Sequence, residues 1–498
     1  MKKIVIAMLI LAMCISLLIS CDTQLTNDSQ NTSTTVNAED NTPQAELENI
    51  QEDSYVYPDV DGGGEDFTFL NTSTDWGFYT NLVLEAMTGE VLDDAIYARN
   101  REIEDKFNII IREVPVLVDS SAQKLRTAVQ AGEDIYDAAY IPCDSPVGTL
   151  VADNLLYNLN DMPGLNLDSK WWNQSVMKDS VIGSAKNLYF AFCDMNIMPL
   201  QCAWCIYINE DMIKNLGLEL PYSLVKNGKW TYDEFYKYMK AGAQLNGGAE
   251  SFKWENEGPA IYGYTSFNNG TLALMTASGE RGVAVDNGGM PYLAVESERF
   301  FNVCDKLGEI LSTKDQGEYL TANTLGAPFH FEAIFRNCRA LMMGGELKAA
   351  DSFRNMEDTY GIVPNPKYDE LQDRYYTAIT IQVPVLVVPV TNTNPERTGA
   401  VLDAMAYLSN RDITPVFFDI TMSQKRLSNE ESIDMLHIIK DSLFFDIGIA
   451  YGWTQNIVMT IRDSLDSGKG SNTASVLEKQ RDKTLTSINQ TMELIEQK

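Results

Sequence analysis

Two cysteines near the middle of the chain have a spacing that supports chemistry. Cys202 and Cys205 form a C-x-x-C pair, which could act as a redox pair, close a disulfide or supply half of a metal site. The pair lies in an apolar, strand-like run from Ala203 to Ile208, no second C-x-x-C occurs, and the chain has only two histidines. These features favour buried free thiols, and we expect neither a metal nor a cofactor.

Three short patterns occur in the order used by penicillin-binding enzymes: Ser121-x-x-Lys124, Ser266-x-Asn268 and Arg397-Thr398-Gly399. Each is short enough to arise by chance in 498 residues. The third follows Asn394-Pro395, which is typical of a helix start, whereas that enzyme motif belongs on a strand. The two histidines, His330 and His437, also lack the H-E-x-x-H spacing of a metalloprotease. An enzyme of either class is therefore not indicated.

The elements that must position functional residues alternate between strand and helix. A helix is predicted where Leu92, Ile96, Ile103 and Phe107 share one face. A second helix is predicted over Ser121–Ala131, capped by Asp119 or Ser120. Strands are predicted on either side of these helices, over Asp66–Leu70, Ile109–Val114 and Tyr136–Ile141. This order predicts an α/β fold with a parallel sheet.

The same alternation continues through the second half of the chain. Thr231 and Glu234 form a capping box at the start of a helix. A strand over Val383–Val390 contains Pro384 and Pro389, so it should lie at a sheet edge or end abruptly. Further strands are predicted over Trp204–Ile208, Arg339–Met343 and Tyr360–Val363, and a helix over Ala474–Glu496.

The first residues have the form of a secretion signal. Lys2 and Lys3 precede an apolar run, Ile4–Ile19, that is shorter than the ~20 residues of a membrane helix. The run ends in Leu18-Ile19-Ser20-Cys21, which resembles the bacterial lipobox. That resemblance implies that residues 1–20 are removed, that Cys21 is acylated, and that the protein stands on the outer face of the cell membrane. The alternative is an ordinary signal peptide with a chance cysteine.

A polar, acidic segment follows Cys21. It contains few large apolar side chains and should stay disordered, because it buries too little surface to offset its ordering entropy. Asp61-Gly62-Gly63-Gly64 closes it, so we predict a tether over residues 21–65 and a globular body from about Asp66.

Composition restricts the partners of this body. Its remaining length, about 430 residues, suits two lobes rather than one core. Removal of Lys2 and Lys3 from a chain of 38 basic and 70 acidic residues leaves 36 and 70, a formal charge of −34. Such acidity repels nucleic acid and anionic lipid. It suits an uncharged ligand, although it could equally serve solubility alone.

The order of these pieces resembles the family-1, sugar-type extracellular solute-binding proteins of ABC importers. The resemblance covers nearly the whole body and depends on the joint order of several segments: Lys106-Phe107-Asn108-Ile109, Tyr136-Asp137-Ala138 with Asn154–Leu159, Ile208–Leu218 with Lys229–Glu234, and Tyr360–Pro366. It implies a periplasmic-binding-protein-like (type II) fold, with two α/β lobes joined by a hinge. Lobe I would be 66–200 with 375–415, and lobe II 201–374 with 416–498.

The resemblance also implies a function. The protein would bind a carbohydrate between its lobes, deliver it to the permease subunits of an ABC transporter, act as a monomer and catalyse nothing. A surface glycoside hydrolase stays open as an alternative, because 70 acidic residues always offer two carboxylates. A binder of a peptide or a polyol phosphate is a further alternative, although no cluster of basic loop residues favours phosphate.

Contact residues follow from the resemblance together with the chemistry of a sugar. Carboxylates and amides bind hydroxyls, and aromatic rings stack on the C–H faces. In open α/β sheets, ligands bind at loops that follow strands. We therefore predict contacts in lobe I and the crossing from Asp75, Trp76, Asp144, Ser145, Trp171, Trp172 and Gln201. The predicted contacts in lobe II are Asn268, Asn269, Glu346 and Trp453.

Overall fold

The structure is a computed structural model that describes residues 55–246, 258–312, 317–321, 330–422 and 430–497. The residues from Tyr55 onward form one compact unit. The predicted signal sequence, the lipidation site Cys21 and the predicted tether up to residue 54 lie outside the described residues.

The described strands form two main sheets and two short pairs. The strands are β1 Glu65–Ser73, β2 Ile109–Leu117, β3 Ala138–Pro142, β4 Trp204–Asn209, β5 Tyr262–Ser266, β6 Val283–Val285, β7 Pro291–Leu293, β8 Tyr319–Thr321, β9 Ala340–Glu346, β10 Tyr360–Pro364, β11 Thr377–Ala378, β12 Pro384–Val387 and β13 Leu443–Phe444. The first sheet has the order β12-β3-β1-β2, the second has the order β10-β4-β9-β5-β8, and the pairs are β11-β13 and β6-β7.

Helices cover the faces of these sheets. They are α1 Val91–Phe107, α2 Val118–Gln130, α3 Ser145–Ala152, α4 Gln174–Met177, α5 Met198–Gln201, α6 Glu210–Asn215, α7 Tyr222–Lys226, α8 Tyr232–Ala243, α9 Asn268–Ala277, α10 Glu298–Leu311, α11 His330–Arg336, α12 Pro395–Leu408, α13 Thr414–Met422, α14 Glu430–Asp441, α15 Ile447–Ala450, α16 Gln455–Asp466 and α17 Thr473–Glu496.

The first sheet forms because its strands are apolar where they meet the helices. Phe67, Phe69 and Leu70 of β1 are fully buried. Strand β1 pairs in parallel with both β2 and β3, so the three strands end at one edge of the sheet. The last strand, β12, pairs antiparallel with β3 and is the edge strand of this sheet. The parallel pairing of β1 with β2 and β3 and the edge position of β12 are as predicted. A proline has no N–H to donate to a neighbouring strand, which favours the edge position for the strand that contains Pro384.

The second sheet is mixed. Strands β5, β8 and β9 run parallel, while β4 and β10 pair antiparallel with their neighbours. Trp204, at the start of β4, lies opposite Glu346, at the end of β9. The carboxyl ends of β5 and β9 and the amino end of β4 therefore share one edge.

Two predicted helix caps are wrong in detail. Helix α2 begins at Val118, before Asp119 and Ser120, and Leu117 occupies the cap position. Thr231 does stand at the cap of α8, but its side chain makes no cap hydrogen bond. Helix α2 continues directly from the end of β2 at Leu117. At the start of α8, the Tyr232 N–H donates to the Lys367 carbonyl at 2.8 Å, so a backbone contact takes the place of the side-chain cap.

The predicted tether is too long at its carboxyl end. The Tyr55 hydroxyl donates to Asp403 at 3.1 Å, and its ring stacks on Tyr407 with centroids 4.6 Å apart. The Gly62 N–H donates to the Phe107 carbonyl at 2.6 Å. Aromatic contacts and backbone hydrogen bonds thus attach residues 55–64 to the first sheet's helices. The remaining lobe boundaries stay a prediction.

The two cysteines of the C-x-x-C pair form no disulfide. Cys202 and Cys205 are buried and free, as predicted. Within the described ranges, no group of His, Cys, Asp and Glu is arranged to hold a metal ion, and no helix is long and apolar enough to cross a membrane.

Candidate ligand-binding site

A short segment connects the edges of the two sheets. The Thr380 N–H donates to the Cys202 carbonyl at 3.3 Å, and the indole N–H of Trp204 donates to the Thr380 hydroxyl at 3.1 Å. Three residues later, the Val383 carbonyl accepts from the Cys143 N–H at 2.9 Å. Residues 380–383 therefore run from the edge of the second sheet to the edge of the first, and predicted site residues lie at both ends.

Asp144 lies at the first-sheet end of this segment. It occupies the cap position of α3, yet its side chain accepts no cap hydrogen bond. Its Oδ1 is buried and has no hydrogen-bond partner among the described residues. Burial, helped by the nearby carboxylate of Asp119, raises the pKa of Asp144 to about 6. A buried acceptor without a donor is costly, so a ligand hydroxyl would be a favourable partner. Ser145 follows as the first residue of α3.

Glu346 lies at the second-sheet end. It accepts a hydrogen bond from the Thr380 hydroxyl. Burial raises its pKa to about 7, although the bond from Thr380 acts in the opposite direction. Glu346 is the last residue of β9, whereas the sequence placed it after the strand. Asp144 and Glu346 are therefore two carboxyl groups, one at each end of the segment 380–383, whose pKa is raised by burial.

A pocket of about 550 Å³ opens beside Leu347 and Lys348, the two residues that directly follow Glu346. Phe78 and Tyr79, which follow β1, and Leu347 and Lys348, which follow β9, line this pocket. Gln201 and Phe417 of α13 also contribute to the lining. The Gln201 side-chain oxygen accepts from the Tyr79 N–H at 2.7 Å. Of the predicted contacts, Gln201 is the one that lines this pocket. Phe78 and Tyr79 were not predicted, although an aromatic pair one residue beyond Trp76 was a visible signal.

Asp75 and Trp76 lie in the exposed turn between β1 and the pocket. The Trp76 side chain is 43% exposed, which is unusual for the largest apolar side chain. It directly precedes Gly77, the first residue of the pocket lining. Both residues are therefore available to a ligand at the pocket entrance.

Asn268 and Asn269 open helix α9. The residue before them, Phe267, packs on Trp204 with centroids 5.3 Å apart, so this loop lies at the same sheet edge as Glu346. The Asn269 side-chain oxygen accepts from Arg462 at 3.2 Å. Asn269 thus already has a partner within the protein.

Trp171 and Trp172 have a structural role, and the expectation that they stack on a ligand in this cleft is wrong. Both indole N–H groups donate to Asp403 Oδ1, at 2.9 and 2.8 Å. Trp172 is 1% exposed, and Trp171 packs edge-on against Tyr55 and Tyr407. A buried carboxylate without a cation needs several donors, and the two indoles supply them.

Trp453 is also part of the core rather than the pocket. Its ring stacks on Tyr451 with centroids 4.5 Å apart, and its N–H donates to Thr491 at 3.2 Å. With 4% of its surface exposed, it offers no open face to a ligand.

Solved structures share this architecture. The ABC substrate-binding protein Lmo0181 from Listeria monocytogenes, in complex with cycloalternan, aligns with a TM-score of 0.51 and 13% identity, over 86% of this chain and 99% of that one. A cyclo/maltodextrin-binding protein complexed with maltotetraose aligns with a TM-score of 0.52 and 15% identity, over 86% and 97%. The GacH receptor of Streptomyces glaucescens aligns with a TM-score of 0.50 and 12% identity, over 87% and 98%.

The chain has the type II binding-protein fold. No protein-family model matches the sequence, and no curated protein does. At these identities the alignments establish the fold alone, which confirms the predicted fold class. In this binding-protein fold, the segment 380–383 is one of the connections between the sheets, so both carboxyls lie beside it.

Proposed function

We propose that this protein is a lipid-anchored substrate-binding protein that captures a carbohydrate of oligosaccharide size and delivers it to the permease of an ABC importer. The supporting observation is the shared fold over 97–99% of the length of neighbours whose structures hold cycloalternan and maltotetraose. These neighbours are described as binding proteins, so the proposal includes no catalytic step.

The chemistry of the site supports a polyhydroxylated ligand. The Oδ1 of Asp144, which has no partner among the described residues, can accept a hydroxyl hydrogen, and Gln201 presents an amide to the pocket. Trp76 and Phe78 supply apolar ring surface at the entrance and in the pocket. Acceptors and rings together match a sugar, which has both hydroxyls and C–H faces.

Delivery requires that ligand binding change the relation of the two sheets. Residues from both sides line the pocket, so a ligand there contacts both. Only a ligand that contacts the closed form more favourably than the open form shifts their balance. Hinge closure of this kind is how two-lobed receptors respond to ligand.

The location is part of the proposal. Cys21 would carry the lipid, and the polar segment after it would hold the body at the outer face of the membrane, where the permease is accessible. The acidity of the chain supports a monomer without nucleic-acid partners.

The test is a thermal-shift panel of mono- and oligosaccharides with the mature protein, followed by calorimetry on each hit. A ligand at ~100-fold over its Kd stabilises the folded state by ~2.7 kcal/mol, which is measurable as a raised melting temperature. Chromatography of the same mixtures should show unchanged sugars. The absence of a shift with any carbohydrate, or release of a cleaved product, would contradict the proposal.

A further inference from the structure

One cation in the pocket, Lys348, has no counter-charge among the residues that the structure describes. Lys348 follows Glu346 by two residues and lines the pocket, and its side chain is half-buried. Its Nζ lies 5.7 Å from the centroid of the Phe78 ring. Among the described residues, no carboxylate lies within ion-pair distance of this ammonium and no acceptor hydrogen-bonds to it.

The acids around the pocket are engaged elsewhere or face solvent. Asp93 accepts from the Tyr79 hydroxyl at 2.5 Å and from the Thr88 hydroxyl at 2.9 Å. Asp351 pairs with Arg354 at 3.0 Å. Glu90 is exposed at the rim, and Glu346 is bonded to Thr380. The described residues therefore place a positive charge in the pocket without an opposite charge to neutralise it.

The lack of an anionic partner for Lys348 among the described residues is unusual in so acidic a chain. The sequence has 70 acidic and 38 basic residues, so a lysine has many potential partners. A half-buried ammonium loses part of its hydration, and a fixed opposite charge would compensate for that loss. A ligand anion can supply the compensation instead.

The net negative charge of the protein does not prevent an anionic ligand from binding at Lys348. Exposed charges are screened over a Debye length of about 8 Å at physiological salt, so the pocket's own charge decides the bound state. Overall acidity would slow the approach of an anion without removing its contact with Lys348.

We propose that the ligand is an acidic oligosaccharide, with the carboxylate of a uronic acid bound by Lys348. This inference rests on the proposed function and narrows its substrate class; it replaces the uncharged ligand suggested by composition. A single ammonium matches a singly charged carboxylate, while a phosphate monoester, with about two charges, would call for further donors. Phe78 then packs on the sugar ring beside the carboxylate.

The experiment compares each uronic-acid oligosaccharide with its own methyl ester, which keeps the carbon skeleton and removes the charge. Oligogalacturonides and glucuronoxylan fragments serve as probes, with calorimetry on the wild-type protein. We expect at least about 10-fold tighter binding of the acid than of the ester, and weaker binding of the acid as salt rises.

Variants separate the lysine from the rest of the pocket. Lys348→Met should weaken binding of the acid about 10-fold or more and leave the ester unchanged, and Lys348→Arg should restore part of the loss. Lys124→Met, at an exposed position on α2, is the matched control. Equal binding of acid and ester, exclusive binding of neutral sugars, or an unaffected Lys348→Met would overturn the inference and leave the proposed function standing. If no carbohydrate of either charge binds, the proposed function itself fails.

Discussion

The hydroxyl of Thr380 donates a hydrogen bond to Glu346 and so joins the connecting segment to the edge of the second sheet. The same hydroxyl accepts from the Trp204 indole at 3.1 Å, so it is fixed from both sides. Glu346 is therefore held in a buried position by the segment that leads from one sheet to the other. Its charge should affect both stability and the relation of the sheets.

Glu346→Gln should stabilise the protein at neutral and alkaline pH. The folded-state pKa of Glu346 is raised from 4.5 to about 7, so the folded protein holds this proton more tightly than the unfolded chain. Stability is therefore lost as pH rises from about 4.5 to about 7. Glutamine still accepts from Thr380 but cannot ionise, so we expect it to gain about 1–3 kcal/mol above pH 7 and almost nothing below pH 4.5.

Urea unfolding of both proteins between pH 4 and 8.5 measures this difference. The exposed Glu478→Gln on α17 is the control and should follow the wild type at every pH. A difference between Glu346→Gln and the wild type that does not change with pH would show that the Glu346 proton is not linked to folding.

Asp403→Ala should destabilise the fold without weakening ligand binding. Four groups would lose their acceptor: the hydroxyl of Tyr55, the indoles of Trp171 and Trp172, and the N–H of Asn166, which lies 3.1 Å away. We expect a loss of about 3–5 kcal/mol, since unsatisfied buried donors cost about 1–3 kcal/mol each and the sites share one partner. Denaturant unfolding gives the loss, and calorimetry at a temperature where the variant is folded gives the affinity. Weaker ligand binding by an Asp403→Ala variant of unchanged stability would show that the tryptophans belong to the binding site.

The alternation of strand and helix was predictable because it depends on local patterns. Side chains such as Phe67 and Phe69 repeat along a strand, and Pro384 with Pro389 restrict β12 to an edge. These signals lie within a few residues of the element that they specify. The fold class followed from their order along the chain.

The site was only partly predictable because its decisive contacts are distant in sequence. Trp172 pairs with Asp403, which lies 231 residues away. Nothing near Trp172 distinguishes a buried indole with a partner from one that faces a cleft. Lys348 was not predicted as a contact, because the lack of an anionic partner among the described residues can be recognised only from the three-dimensional positions of its neighbours. Asp144 was found because its position directly after a strand is a local signal.

Trp76→Ala should reduce affinity while stability stays nearly unchanged. The side chain is 43% exposed, so its removal deletes little buried surface. If the ring packs on a sugar at the entrance, we expect the Kd to rise about 5- to 20-fold, since such a contact contributes about 1–2 kcal/mol. Calorimetry with the best sugar from the panel measures the change. Met87→Ala, also exposed in the stretch between β1 and α1, is the control; an equal Kd for wild type and Trp76→Ala would exclude the ring from the site.

Cys21→Ser should release the protein from the membrane. The thiol is the atom that accepts the lipid in the lipobox chemistry proposed for Cys21, and a serine hydroxyl does not replace it. We expect the wild type in the membrane fraction and in the detergent phase of a phase separation, and the variant in the aqueous phase or the medium. Cys14→Ser, inside the apolar run, is the control and should remain with the membrane. Retention of the Cys21→Ser variant would point to a different anchor.

Asp144→Ala should abolish the ligand-induced thermal shift and leave the unliganded protein about as stable as before. The substitution removes a buried oxygen that has no partner among the described residues, so little folding energy depends on it.

Binding should also depend on pH, because the carboxylate of Asp144 accepts a hydroxyl hydrogen more strongly than the acid does. With a pKa of about 6 in the free protein, affinity should fall as pH drops below 6, approaching a tenfold loss per unit. Calorimetry from pH 4.5 to 8 tests this slope, and Asp144→Asn should flatten it. Asp305→Ala, exposed on α10, should keep both the shift and the slope; an intact shift in Asp144→Ala would remove this carboxylate from the site.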